Sequence, residues 1–319
     1  MNAEIVYSSI KFGKYCIPLV TVKGAKPGPT LVVTALQHPT EFSGPAAIDR
    51  VLTELKPTAL SGTLVALPII NPIQMHYSAA RFRACWKKPE TNLNRQWPGD
   101  PVSKNPLSRL AALVWEQFIK SADAVIDYHC CRSVDPRFNA CLDGHKPSLE
   151  LAVAMGLEAV DLQTPASYAD GPLIFPTAKI LGIPAVLLES FPGGFQTREA
   201  VDACSRALWL AMLHLQMVKK LHIPGKKGLA NPMPLFRRSD PSHSLKAAQA
   251  GYLGIRKWAG DKVDKGDVIA EIRSFETFEV VETIKSPVTG AVGSSGIGTE
   301  VAFAKPGDVV ASVKKVKWA

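Results

Sequence analysis

No CxxC pair, no long apolar run and no aromatic-interleaved basic stretch occur in these 319 residues, and each absence removes a class of protein. The six cysteines (Cys16, Cys85, Cys130, Cys131, Cys141 and Cys204) lack zinc-type spacing. The chain is far too long to need a disulfide framework, so free thiols in a reducing compartment are expected. The longest apolar stretch, 207–213, is soon broken by His214 and Gln216 and falls short of the roughly 20 residues that span a bilayer. Residues 1–15 carry Glu4, Lys11 and Lys14 where a secretory signal would be apolar. These readings predict a cytoplasmic protein with no membrane partner.

Negative charge is the scarcer sign, leaving a net charge of +9, but the excess gathers at Lys219, Lys220, Lys226, Lys227, Lys314, Lys315 and Lys317. Without nucleic-acid motifs this reads as a solvated surface suited to small anionic substrates, and no nucleic-acid partner is expected. What the chain does have is an ordinary globular balance, 46% apolar and 20% charged, at a length that favours two domains.

Short apolar runs at 30–36, 63–70, 124–128 and 184–188 read as buried strands. Amphipathic helical patterns occupy 44–55, 107–120, 147–155 and 198–221. The alternation predicts an α/β fold, a mixed and mostly parallel sheet covered by helices on both faces. Beyond 221 the chain turns rich in glycine, proline and basic residues, placing a boundary near 228. Short β-like runs at 251–257, 268–274, 278–284, 288–293 and 309–316 then predict a small C-terminal all-β domain. The domains read as 1–228, catalytic, and 229–319, β.

Ligands of open α/β sheets bind beyond the carboxyl ends of the strands, which directs attention to the first polar residues there. They are Gln37-His38-Pro39-Thr40-Glu41 after the first run, Asp127-Tyr128-His129 at the third, and Glu189-Ser190 at the fourth. Two histidines and a glutamate form a three-ligand set for catalytic zinc, leaving a position for water. His38, Glu41 and His129 fit that set, and Glu189 fits a second carboxylate able to move the water's proton. Taken singly, each has an ordinary alternative: Glu41 suits the positive end of the helix beginning near Ser43, His38 a backbone hydrogen bond, Glu189 an ion pair. Cys130 is a further thiol beside His129, but strand alternation sends the two side chains to opposite faces. His76, His145, His214, His222 and His243 read as surface or packing residues.

In chain order, His38-x-x-Glu41, Asn71-Pro72, Asn92-Leu93-Asn94-Arg95-x-x-Pro98-Gly99, Asp127-x-His129 and Leu187-Leu188-Glu189 before Gly193-Gly194 resemble the succinylglutamate desuccinylase/aspartoacylase family, relatives of zinc carboxypeptidases. The likeness runs from about residue 30 to the C-terminus and is nearest to the branch that removes acyl groups from N-acyl diamino acids. It implies a zinc carboxypeptidase-like fold, one Zn²⁺ per chain held by His38, Glu41 and His129, and Glu189 as general base. It also implies that Asn94 and Arg95 hold a substrate carboxylate, for which a guanidinium fork is well shaped. An upstream arginine would meet the developing oxyanion: Arg83 first, then Arg81, then Lys87.

Two departures mark this sequence. Pro39 stands where the family usually has glycine, and Cys130-Cys131-Arg132 replaces a small, glycine-containing stretch after the third ligand. The C-terminal segment around Ile284-Lys285-Ser286-Pro287 resembles a biotinyl or lipoyl carrier fold, yet Phe275-Glu276-Thr277-Phe278-Glu279, where the carrier lysine would lie, has none. The expected function is a zinc-dependent amidohydrolase acting on an N-acyl amino acid or a related small carboxylate-bearing amide, with the β domain shielding the active-site mouth or serving as an oligomer contact in a homo-oligomer. A metallocarboxypeptidase acting on peptides and a metal-binding pseudoenzyme are the alternatives.

Overall fold

The computed structural model describes residues 3–75, 77, 88–130, 137–165, 172–190, 196–220, 233–295 and 303–319. The chain divides into two compact units: Met1–Cys131, Asn139–Leu157 and Gln163–Gly228 form the first, and Arg132–Phe138, Glu158–Leu162 and Leu229–Ala319 the second.

In the first unit the strands are β1 (Glu4–Phe12), β2 (Tyr15–Lys23), β3 (Lys26–Ala35), β4 (Ser61–Leu67), β5 (Ala124–Cys130), β6 (Phe138–Leu142) and β8 (Ala185–Ser190), in sheet order β1-β2-β4-β3-β5-β8-β6. β3, β4, β5 and β8 run parallel where they pair, whereas β1 and β2 form an antiparallel hairpin that joins the sheet through β4. The four apolar runs are thus the parallel strands β3, β4, β5 and β8. The hairpin lacks such a run because its strands are only partly covered, β1 being largely exposed. β5 is an interior strand, between β3 and β8, with all seven residues buried. A polar residue in such a strand must find its partners inside the protein, which makes Asp127 and His129 conspicuous.

The helices are α1 (Ser43–Glu54), α2 (Pro106–Gln117), α3 (Lys146–Ala154) and α4 (Arg198–His214), joined by shorter helical turns such as Leu93–Arg95. α2 begins at Asn105, whose Oδ1 accepts from Leu107 N–H, and α4 at Thr197, whose hydroxyl accepts from Ala200 N–H; both are favoured N-cap types. α1 has no such cap. It instead presses its glycine into the sheet: a Cβ on Gly44 would stand 2.6 Å from Tyr128 Cβ and 2.9 Å from Ala35 Cβ. On the same face Tyr128 donates its hydroxyl to Cys204 O of α4 at 2.8 Å.

The second unit contains β7 (Ala159–Gln163) alongside β9 (Pro234–Arg237) and β18 (Lys317–Trp318). Its remaining strands make two four-stranded antiparallel sheets. One orders β10 (Ser242–Lys246), β17 (Val309–Lys314), β15 (Gly290–Ser295) and β12 (Lys262–Val263). The other orders β14 (Val280–Lys285), β13 (Val268–Arg273), β11 (Gly251–Ile255) and β16 (Phe303–Ala304). Leu253, Ile272 and Ile284 from the second sheet share one core with Val263, Val292 and Val313 from the first. The β13–β14 hairpin turns through Ser274 to Glu279, where Phe278 adopts φ +59°.

Candidate metal centre

Three elements of the first unit deliver the site. β3 ends at Ala35, and Leu36 takes φ +55°, a left-handed conformation that a branched side chain seldom adopts. Backbone strain of this kind gathers at functional sites, and Gln37 and His38 follow at once. His38 O accepts from Glu41 N–H at 3.2 Å, a tight turn that sets the two side chains beside each other: His38 Nδ1 lies 2.8 Å from Glu41 Oε1. β5, parallel to β3, supplies His129, with Nδ1 2.9 Å from Glu41 Oε2 and 3.3 Å from His38 Nδ1. All three residues are buried. The Glu41 carboxylate therefore turns to the imidazoles and not to the N-terminus of α1.

Which ring nitrogens face inward is fixed by what the outer ones touch. His129 Nε2 lies 2.9 Å from Asp127 Oδ2, two residues back on the same face of β5, so it carries the proton and donates it. His38 Nε2 lies 3.0 Å from Asn92 Oδ1. That amide's orientation is set independently, because the same oxygen accepts from the backbone N–H of Asn94 at 2.9 Å. An acceptor at Nε2 leaves Nδ1 of a neutral ring with its lone pair. Both histidines thus direct Nδ1 at Glu41.

Asp127 is wholly buried and held from three sides, accepting from Thr34 Oγ1 at 2.6 Å, from Gln37 Nε2 and from His129. Gln37 completes its amide by accepting from Trp97 Nε1 at 2.9 Å. Asn71 Nδ2 donates to Gln37 O and to Gln74 Oε1, and Gln74 Nε2 donates to Thr91 O. This chain of amides ties the end of β3 to the 91–97 segment that presents Asn92. It also gives the Asn71-Pro72 motif a structural purpose.

Burial alone would raise the Glu41 pKa, but His38 and His129 outweigh it and hold the carboxyl at about 2. For His129 burial works to lower the pKa, and Asp127 and Glu41 overcome it, leaving the pKa well above the usual imidazole value. A carboxylate clasped between two imidazoles is how a cation site looks when protons neutralise it. The donor set fits a divalent metal. Glu41 Oε2 lies 2.9 Å from His129 Nδ1, and Oε1 2.8 Å from His38 Nδ1, so both carboxylate oxygens face the gap between the rings. A tetrahedral ion with bonds of about 2.0–2.1 Å spaces its ligands roughly 3.3 Å apart; the two Nδ1 atoms are 3.3 Å apart, and the Glu41 oxygens stand closer to them, at 2.8 and 2.9 Å. Among the described residues, His38, Glu41 and His129 are the group of histidine, cysteine and carboxylate side chains that can share an ion.

Glu189 is the register partner of His129 on β8, and parallel partners face the same side of a sheet, which places it beside the trio. Cys130 and Ser190 are the next pair and face the other way, Sγ 3.1 Å from Oγ. Burial pushes the Cys130 thiol up to about 11, so it is protonated at neutral pH. Asn94 is buried, its Oδ1 accepting from Leu173 N–H at 3.1 Å and its Nδ2 3.5 Å from His129 Nε2. Arg95 is half-buried beside it and donates from Nη1 to Asn94 O at 2.7 Å. Arg81, Arg83 and Lys87 lie outside the described residues, as do Gly193-Gly194, Cys131-Arg132, His76 and His222. His145 packs Nδ1 against Ser148 Oγ at 2.7 Å, and His214 closes α4. Asn92 and Gln37 were visible to sequence reading only as parts of motifs, with no role attached.

Comparison with known proteins fits this geometry. Residues 27–208 match the model of the succinylglutamate desuccinylase/aspartoacylase catalytic domain. A curated relative, the N-alpha-acetyl-L-2,4-diaminobutyric acid deacetylase of Halomonas elongata, is 26% identical over 276 residues, covering 82% of this chain and 75% of the relative. Among solved structures, the product-bound ectoine utilization protein EutE (DoeB) of Ruegeria pomeroyi is 19% identical with a TM-score of 0.62, covering 98% of this chain and 94% of that one. A succinylglutamate desuccinylase/aspartoacylase protein of Shewanella frigidimarina is 14% identical with a TM-score of 0.67, covering 99% of each chain. At these identities the structures speak for a shared fold.

Proposed function

The chain belongs to the succinylglutamate desuccinylase/aspartoacylase family, and from that premise we propose that it is a zinc-dependent hydrolase releasing the acyl group from a small N-acyl amino acid. The observation that carries the reading is the convergence of His38 Nδ1, Glu41 and His129 Nδ1 on one point, with both tautomers set by outside partners. A divalent cation held there supplies Lewis-acid polarisation of the acyl carbonyl and lowers the pKa of water. A nitrogen and oxygen donor set suits Zn²⁺.

The residues of the chain do the rest. Glu189, alongside His129, takes a proton from the attacking water and returns it to the leaving nitrogen as the carbon–nitrogen bond breaks. Asp127 holds the His129 ring in place, keeps its proton on Nε2 and makes Nδ1 a stronger donor. Arg95, with the Asn94 amide, anchors the carboxylate of the amino-acid part, a bidentate task suited to guanidinium. Arg83, and failing it Arg81, receives the charge that develops on the carbonyl oxygen. The substrate named for the Halomonas relative supports an N-acetyl diamino acid as the first substrate to test.

The test separates binding from chemistry. Glu189→Gln is expected to retain one equivalent of zinc while kcat on N-acetyl diamino acids falls about 10²–10⁴-fold. Near-normal turnover in that variant would remove Glu189 from the mechanism. Hydrolysis that persists after chelation, in protein shown to be metal-free, would remove the metal.

A further inference from the structure

The two histidines of the trio have unequal outer partners. His129 leans on a carboxylate, Asp127, whereas His38 leans on a neutral amide, Asn92. Asn92 is 1% exposed and held throughout its length. Its N–H donates to Pro89 O at 3.2 Å, its carbonyl accepts from Arg95 N–H at 3.1 Å and from Gln96 Nε2 at 3.3 Å, and its Oδ1 takes the Asn94 N–H. With one lone pair of Oδ1 committed to Asn94, the other faces His38 Nε2. The amide cannot flip without setting its NH₂ against the Asn94 N–H, a donor against a donor. The side chain is built as a fixed acceptor.

We propose that Asn92 is a positioning residue of the metal centre, holding His38 in the Nε2–H tautomer while withholding the negative charge that an aspartate would add. The proposal rests on the metal reading above. Its physical ground is twofold. Without an acceptor at Nε2, the His38 ring is free to carry its proton on Nδ1, where it blocks a cation and can pair with Glu41. Three carboxylates, Glu41, Asp127 and Glu189, already stand beside the cation or its histidine ligands. A fourth carboxylate would hold the cation more firmly and oppose both the approach of an anionic substrate and the build-up of negative charge on the carbonyl oxygen.

Two substitutions with opposite signs follow. Asn92→Ala removes the acceptor, and Asn92→Asp keeps it while adding charge. Zinc affinity is measured by competition with a chromophoric chelator on full-length protein whose circular dichroism matches the parent, with His129→Ala as the reference for a lost ligand. Asn92→Ala is expected to bind zinc about 10–100-fold more weakly, the range found when outer partners of metal-bound histidines are removed. Asn92→Asp is expected to bind at least as tightly as the parent, yet with lower kcat. Long-range ¹H–¹⁵N spectra should show the His38 proton on Nε2 in the zinc-loaded parent.

The outcomes are distinguishable. If parent and His129→Ala bind zinc equally, the metal reading fails and takes this proposal with it. If His129→Ala loses zinc but Asn92→Ala keeps parental affinity, only the role of Asn92 is overturned. Should Asn92→Ala fail to fold, Asn92→Asp decides, since binding as weak as that of His129→Ala contradicts an acceptor role.

Discussion

At the scale of single residues, the proton and the cation compete for the same atom. Asp127 and Glu41 raise the pKa of His129 against the pull of burial, which in the metal-free protein favours a ring carrying both protons, one toward Asp127 and one toward Glu41. A cation must displace the second, so zinc binding at pH 7 is expected to release about one proton and to weaken as pH falls. Calorimetric titration in two buffers of different ionisation enthalpy measures that number directly, and a value of zero would mean that His129 holds no second proton for the cation to displace. The metal-free protein itself has a signed pH dependence. Glu41, held at about 2 against an ordinary 4.5, contributes stability that is complete above about pH 4.5 and lost as pH falls toward 2. His129, with its pKa raised, contributes below about pH 6.5 and loses that contribution as pH climbs through its folded value. The three side chains that converge were legible in the sequence because only a few residue types suit a metal site and these fall at strand ends. Their supports were not. Asn92 lies 54 positions from His38, and Gln37 lies 90 from Asp127, and no local pattern encodes a hydrogen bond made across such distances.

Elements carry the next layer of explanation. Apolar runs betrayed the parallel strands because β3, β4, β5 and β8 need apolar residues on both faces. The β1–β2 hairpin escaped the same reading, being an amphipathic edge with polar and apolar residues mixed along it. α1 was legible as a helix, but its depth in the fold was not. Gly44 lets its first turn rest against Tyr128 and Ala35, just after the turn that carries His38 and Glu41. In an exposed helix, alanine in place of glycine stabilises by up to about 1 kcal/mol. Here the sign should reverse. A methyl at 2.6 Å from Tyr128 Cβ must push α1 off the sheet, and overpacking of this kind costs about 1–3 kcal/mol. Denaturant unfolding of Gly44→Ala is therefore expected to show lower stability, and because the turn that carries His38 and Glu41 leads directly into α1, zinc affinity should fall with it. An increase in stability would mean that the helix has room to move without disturbing the site.

For the molecule as a whole, the question is what the first unit does with so much buried charge. Asp127 is wholly buried, and Glu41 and His129 nearly so. Enclosing unpaired charges of this kind would cost several kcal/mol each. Hydrogen bonds satisfy Asp127, while Glu41 and the inward nitrogens depend on whichever positive charge sits among them, a proton or a metal ion. Overall composition could not reveal this balance, because a charged fraction of 20% and a net +9 do not say where individual charges lie. A ligand that binds only the folded state stabilises it by RT ln(1 + [L]/Kd), about 4 kcal/mol at a thousandfold excess over Kd. For a unit of this size that corresponds to a fall in Tm on the order of 10 °C when zinc is removed at pH 7.5. The difference should shrink as pH is lowered, since protonation of His129 offers the folded protein a substitute positive charge while weakening its hold on zinc. Thermal melts with and without chelator across pH 6–8 would measure this directly. A gap that widened toward acid would mean that protons and zinc do not share the His38, Glu41 and His129 site.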